Sequence, residues 1–229
     1  MSTLFQAQPC SINLLGAFFI GKDHQFPNST GVRHVLRGEN VFQPTDKADS
    51  IYFIKEGKVK ISALNSEQKE VTKAIYSSGD LFGEQAILDQ EFRRDWAVAL
   101  QHTTLQVLSA VEMLSMLQGR TDLTMLLMQL IVTRQQDMEN RLESLVFRDS
   151  RSRVVECLVQ LTAQKGQQVG YEWVLRNPIT HQEIANLTAT SRQTVTTTLN
   201  DLRYARILTF NRKQLLVRDL EKLKAEIKS

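Results

Sequence analysis

The sequence predicts an α+β chain: an antiparallel β-barrel or sandwich, a long dimerisation helix, and a winged helix-turn-helix. Three observations carry this expectation. Branched and aromatic residues fall in short runs broken by turn signals over 32–108. Over 110–147 there is no proline and a single glycine, Gly119. Near the end, two short stretches with their own helix caps precede a hairpin. The expected boundaries are 1–120 for the barrel or sandwich with flanking helices, 121–147 for the long helix and 148–229 for the winged helix-turn-helix.

In the first part the strand-like runs are 50–54, 58–62, 71–75 and 96–100, with turns at Glu56-Gly57, Asn65-Ser66 and Ser78-Gly79-Asp80. Strands at this spacing imply a barrel or sandwich. Thr121 or Asp122 is the expected cap of the long helix. Along it Met128, Ile131, Gln135, Met138, Leu142 and Leu145 recur at heptad spacing, and all but Gln135 are apolar. Such a seam suits a two-stranded coiled coil between subunits; a helix lying on its own barrel is the other reading. After Asp149, residues 153–163 read as a helix with Val154, Val155, Leu158, Val159 and Leu161 inward. Residues 164–177 read as a looser link with a strand at 171–175.

Thr180 opens a capping box with Glu183, and the helix it starts turns Ile184 and Leu187 inward. After a turn at 188–190, Ser191 caps a second helix over 192–204 with Val195, Leu199 and Leu202 on one face. Arg192, Gln193, Thr196 and Thr197 are left outward. These side chains reach base edges and phosphates, and threonines are poor helix formers on a free surface, so DNA contact gives them a reason. Strands over 207–210 and 214–217 then flank the basic tip Asn211-Arg212-Lys213. The candidate DNA-binding set is Thr180, His181, Ser191, Arg192, Gln193, Thr194, Thr196 and Thr197, with Arg212 and Lys213 on phosphates in the wing. A helical pair plus hairpin used only for packing is the alternative.

Charge and composition agree. Residues 1–147 carry 14 Lys and Arg against 17 Asp and Glu, a balance of −3; residues 148–229 carry 14 against 8, a balance of +6. The basic excess on the smaller part is the footprint of a polyanion binder. At 229 residues with 42% apolar content the chain can bury two modest cores. No long apolar window and no secretory start are present, so a cytoplasmic protein without a membrane partner is expected. Two distant cysteines, Cys10 and Cys157, exclude a disulfide framework and an iron-sulfur cluster, which needs four thiolates. The four histidines lack metal-ligand spacing, and no P-loop, G-x-S-x-G or H-E-x-x-H motif occurs, so an enzyme is not expected. A regulatory module acting on a protein partner is a further class, but such modules lack a helix-turn-helix.

Several stretches together resemble the cyclic-AMP receptor protein/FNR (CRP/FNR) family. They are Tyr52-Phe53-Ile54-Lys55-Glu56-Gly57-Lys58-Val59, Ser78-Gly79-Asp80-Leu81-Phe82-Gly83-Glu84, the long helix, and Thr180-His181-Gln182-Glu183-Ile184-Ala185 running into Ser191-Arg192-Gln193-Thr194-Val195. The resemblance implies a transcription regulator: an antiparallel β-roll of the double-stranded, jelly-roll-like kind that senses an effector, a coiled-coil homodimer, a two-fold symmetric double-stranded DNA operator, and RNA polymerase as a further partner. It places effector contacts around Phe82, Gly83, Glu84, Gln85, Arg93 and Arg94. Where members that bind cyclic AMP carry Arg-Ser/Thr, this chain has Arg94-Asp95, and an anion there opposes a phosphate. Within the family the chain is similar to the cyanobacterial nitrogen-control regulators, along Thr124-Met125-Leu126-Leu127-Met128 and Leu145-Val146-Phe147-Arg148-Asp149. That similarity implies 2-oxoglutarate or another small anionic metabolite, held by Arg93, Arg134 and Glu139. Guanidinium forks suit a dicarboxylate; a salt bridge between helices from Arg134 to Glu139 is the other reading. Glu84 departs from the nitrogen-control pattern.

Overall fold

The computed structural model describes residues 31–88, 91–176, 179–211 and 213–227. They form two compact units that meet in sequence between Gln135 and Gln136, inside the long helix.

In the first unit, eight strands make two antiparallel sheets. One runs β1 (Gly31–Val35), β8 (Thr103–Ser109), β3 (Ser50–Glu56), β6 (Leu81–Phe82); the other runs β2 (Asn40–Phe42), β7 (Trp96–Ala99), β4 (Lys58–Leu64), β5 (Glu70–Ser77). Strand β3 reads Ile51-Tyr52-Phe53-Ile54 without polar alternation because both its faces are covered. Tyr52 and Ile54 join Val35, Phe42, Val59, Phe82 and Leu105 in one core. Ile51 and Phe53 join a second core with Leu81 and Met113. Gly57, at φ 111°, turns the chain from β3 to β4; a Cβ there would lie 2.3 Å from Thr103 Oγ1.

Helix α1 (Ala110–Leu117) begins in a capping box between Ser109 and Glu112, a second such signal in the chain, here Ser-x-x-Glu. Helix α2 (Thr121–Phe147) then runs for 27 residues. Neither Thr121 nor Asp122 caps it as expected. Thr121 is already helical, and the Thr124 amide donates to Arg120 O at 3.1 Å. Asp122 sits in the first turn, where the Leu123 amide, then Arg120, hold its carboxyl below the ordinary range. Leu123, Leu127 and Leu130 bury one stripe of α2 in the second core of the roll. The heptad stripe is a different one, and it stays exposed. The residues that pack on the roll and those of the heptad stripe are therefore different ones.

The second unit begins with the end of α2. Helix α3 (Ser150–Lys165) starts three residues earlier than expected because Asp149 caps it, accepting from the Ser152 amide at 2.6 Å. Val154, Val155 and Leu158 are buried as read; Val159 and Leu161 are only partly buried. Within 164–176 the strand expected at 171–175 forms, and the residues ahead of it are paired as well. Together they make a hairpin, β9 (Gln167–Val169) and β10 (Glu172–Arg176), that extends the sheet β11 (Leu208–Phe210), β12 (Gln214–Val217), β10, β9. Strand β9 is exposed throughout, so it lacks the apolar alternation that marks a strand. Helices α4 (His181–Leu187) and α5 (Arg192–Tyr204) pack on α3, and a final helix not anticipated, α6 (Leu220–Ala225), is capped by Asp219.

Candidate nucleic-acid interface and effector pocket

Helix α4 starts in the expected capping box. The Glu183 amide donates to Thr180 Oγ1 at 3.2 Å, and the Thr180 amide donates to Glu183 Oε2 at 2.5 Å. At the start of α5 the Thr194 amide donates to Ser191 Oγ at 3.0 Å, and the Ser191 and Thr194 hydroxyls lie 2.8 Å apart. Both hydroxyls thus serve the cap. Between the helices, Ala189 adopts φ 48° and the Thr190 amide donates to Ala185 O. Inside, Ile184, Ala185, Val195, Leu199 and Leu202 are buried. Outside, Arg192, Gln193 and Thr197 are exposed and form no side-chain hydrogen bond among the described residues.

Thr196 differs from these three. Its hydroxyl donates to Arg192 O at 2.9 Å, and His181 Nδ1 lies 3.0 Å from that hydroxyl's own oxygen, Thr196 Oγ1. With the hydroxyl proton so placed, Nδ1 is the donor, which fixes the imidazole tautomer. Burial, then Arg192, lower the pKa of His181. Its ring meets Phe210 of β11 edge-on at 5.7 Å, and Arg203 stacks on Phe210 from α5. His181 therefore joins both helices to the wing. At the wing tip Asn211 Oδ1 accepts from the Lys213 and Gln214 amides, leaving the Lys213 side chain exposed. Arg212 lies outside the described residues.

The roll holds a cavity of about 60 Å³ walled by the aromatic side chains of Phe42, Tyr76 and Phe82, and by Gly83, Glu84, Gln85, Arg93, Arg94 and Asp95. Arg93 is buried over the Phe42 ring, donating to Gly83 O at 3.1 Å and to Ser50 O, which leaves only the buried Nε without a partner. Burial lowers its pKa, against Tyr52 and Asp49. Gly83, at φ 80°, allows this approach: a Cβ would stand 3.3 Å from Arg93 Nη1. Arg134 of α2 lies over the Tyr76 ring at 4.4 Å, donates to Leu81 O and pairs with Glu84 at 2.7 Å. Burial pulls its pKa down, and Glu84, Tyr76 and Asp80 together more than reverse this. Asp95 pairs with Lys73 at 2.7 Å. The Asp95 carboxylate stands on the cavity wall, where members of the family that bind cyclic AMP are expected to carry Ser or Thr.

Residues 32–120 match the family described as cyclic nucleotide-binding domain, and residues 152–226 match Crp-like helix-turn-helix domain. A cyclic AMP receptor protein from Thermus thermophilus is 30% identical over 166 residues, covering 72% of this chain and 74% of its own. The chain belongs to the CRP/FNR family. A global nitrogen regulator from Nostoc is 29% identical over 183 residues, covering 79% of this chain and 82% of its own. Among solved structures, FixK2 from Bradyrhizobium japonicum shares the fold at a TM-score of 0.77 with 17% identity, over 87% of this chain and 98% of that one. CRP/FNR proteins are transcription regulators, not enzymes, and bind DNA as dimers. Among the described residues no helix is long and apolar enough to cross a membrane.

Of the residues the sequence singled out in this CRP/FNR chain, the structure gathers Phe82, Gly83, Glu84, Gln85, Arg93 and Arg94 at one cavity, with Arg134 bonded to Glu84. Glu139 is exposed on α2, and within the chain Arg134 pairs with Glu84. Met128, Ile131, Gln135, Met138, Leu142 and Leu145 are exposed together along α2. Three participants went unseen: Tyr76 and Phe42, which carry the guanidinium groups, and Lys73, which neutralises Asp95. No spacing rule links them, because the roll brings them together from different strands.

Proposed function

We propose that this chain is a homodimeric CRP/FNR-type regulator of the cytoplasm that reads a two-fold symmetric operator and acts through RNA polymerase. Its roll spans 1–120, its pairing helix 121–147 and its DNA-reading part 148–229. The observation that carries the reading is the Ser191-capped helix with Arg192, Gln193 and Thr197 exposed at its start. Arg192 is the guanine reader, Gln193 suits adenine N6 and N7, and Thr197 is too short for a bidentate guanine contact. Thr180, His181, Ser191, Thr194 and Thr196 shape and flank that surface, while Arg212 and Lys213 take phosphates. The exposed α2 seam pairs the subunits. Selection of sites from random DNA tests this. Arg192→Ala and Gln193→Ala should each relax preference at defined base pairs, by about 1–3 kcal/mol; Lys213→Ala should weaken all sites alike and flatten the salt dependence. A motif unchanged in Gln193→Ala removes α5 from the groove.

For the effector, one observation favours a small carboxylate such as 2-oxoglutarate: Arg134 already holds a carboxylate, that of Glu84, over the Tyr76 ring. An effector of that chemistry enters by exchanging with Glu84. Calorimetry with 2-oxoglutarate should show tighter binding to Glu84→Gln than to the wild type, and no binding of cyclic AMP. Tight cyclic AMP binding that depends on Glu84 and Arg94 overturns this.

A further inference from the structure

We propose that Arg153 is a positioning residue that ties the end of the long helix to the turn of the helix-turn-helix and thereby sets the half-site spacing the dimer accepts. The proposal rests on the dimeric DNA reading above. Arg153 lies near the start of α3, and its guanidinium holds four acceptors. Nε donates to Thr188 O at 2.9 Å, Nη1 to Arg148 O at 2.9 Å, and Nη2 to Ala189 O at 3.2 Å and Ser150 Oγ at 3.3 Å. Arg148 follows the last residue of α2, and Thr188 is the C-cap of α4. Both are helix ends whose carbonyls lack partners within their own helices and carry the negative end of the helix dipole. One rigid, planar cation thus closes two helices at once, and neither end can shift without breaking a bond to it.

Two neighbouring features make this tie consequential. Ala189, whose carbonyl Arg153 holds, is a non-glycine residue at φ 48°, a conformation that persists only where its surroundings over-determine it. The cap Ser191 and the readers Arg192 and Gln193 follow directly, so the turn carries the base-reading surface with it. On the other side, Glu156 of α3 accepts from the Ser144 hydroxyl and lies 3.4 Å from Arg148 Nε. That contact pins the last turn of α2 to α3 at a second point. The path from pairing helix to reading helix is therefore a chain of fixed contacts, Ser144 and Arg148 to Glu156 and Arg153 to Thr188 and Ala189. Lysine cannot replace the link, because its ammonium is a point donor that does not span separated carbonyls.

Spacing is the readout that a merely stabilising role would leave alone. Moving one half-site by a base pair rotates it by about 34° and shifts it by about 3.4 Å. The full-length wild type and Arg153→Lys are compared on the operator selected from random DNA and on the same duplex with one central base pair inserted or removed. Melting and sedimentation are followed in parallel. Wild type should lose about tenfold or more in affinity on each respaced duplex. Arg153→Lys should remain a dimer with the same half-site preference and lose no more than about threefold. Should Arg153→Lys fail to fold, Glu156→Gln, which loosens the second pin, carries the same comparison. A variant that rejects respaced sites as strongly as wild type, or weakens on all three duplexes alike, overturns the proposal. A wild type that selects no operator overturns instead the DNA reading beneath it.

Discussion

Replacing Ile131 and Leu142 together by Asp should split the dimer and leave the single chain folded. Both side chains stand outside the cores of the chain, Ile131 at 47% and Leu142 at 63% exposure, whereas Leu123 on the stripe packed against the roll keeps 1%. Covering roughly half of such a side chain against a partner contributes about 1 kcal/mol, since complete burial contributes 1.5–3. A two-fold interface uses each position twice, so the double substitution removes about 4 kcal/mol before the new carboxylates are counted. Those carboxylates must lose water against an apolar seam, which adds to the loss. At about 1.4 kcal/mol per tenfold, dissociation should increase roughly a thousandfold or more. The fold of one chain should scarcely register the change, because exposed substitutions stay within about 0.5 kcal/mol apart from the lower helix propensity of Asp. Sedimentation velocity over a concentration series, with thermal unfolding on the same samples, reads both quantities. Dimers that persist would place the interface elsewhere. Monomers that have also lost their cooperative melt would show that the stripe belongs to the chain's own core.

His181 should make stability depend on pH. Burial, then Arg192, hold its folded-state pKa below the ordinary 6.5, so the unfolded chain takes up the proton first as pH falls. Its contribution is present above that ordinary value and is lost as pH falls from there toward the folded value; urea midpoints should show this fall, and His181→Gln should flatten it. An unchanged pH profile would show that His181 titrates alike in both states. The Cys157 thiol is pushed up to about 12 by burial, against the pull of Arg141. Because the thiolate is the nucleophile, iodoacetamide should modify it slowly at neutral pH, and labelling as fast as that of a free thiol would contradict the raised pKa. Thr180→Ala removes the cap of α4 and should lower unfolding stability by about 1 kcal/mol. A melting curve identical to wild type would mean that the Glu183 half of the box suffices.

The helix-turn-helix was legible almost residue by residue because its signals are local. Thr180 with Glu183, Ser191 ahead of a helix, and the apolar spacing of Val195, Leu199 and Leu202 all act within a few residues of one another. The apolar heptad stripe of α2, which the structure leaves exposed, was legible for the same reason. The Leu123, Leu127 and Leu130 stripe was not, because a second apolar face on one helix blurs the period of the first. The cavity was legible only in part. Arg93 reads as one of two adjacent arginines, and its acceptors are backbone carbonyls, Ser50 O among them, that no side-chain pattern announces. Arg153 was hidden for the same reason, since three of its four acceptors are main-chain atoms.

Strand β8 lies between β1 and β3, with Val107 opposite Gly31 on one side and Tyr52 on the other. During synthesis β1, and the edge of β3 not taken by β6, must therefore wait, their amides unpaired, until the chain has emerged as far as Ser109. Loop closure over such distances slows folding, and open strand edges invite association with other chains in the interval. The helical part of the second unit, closed mainly by contacts between neighbouring elements, carries no such delay. In the cell, the roll is thus the segment most exposed to chaperones, and substitutions that weaken the β8 pairings should lower the yield of folded protein more than they lower its final stability.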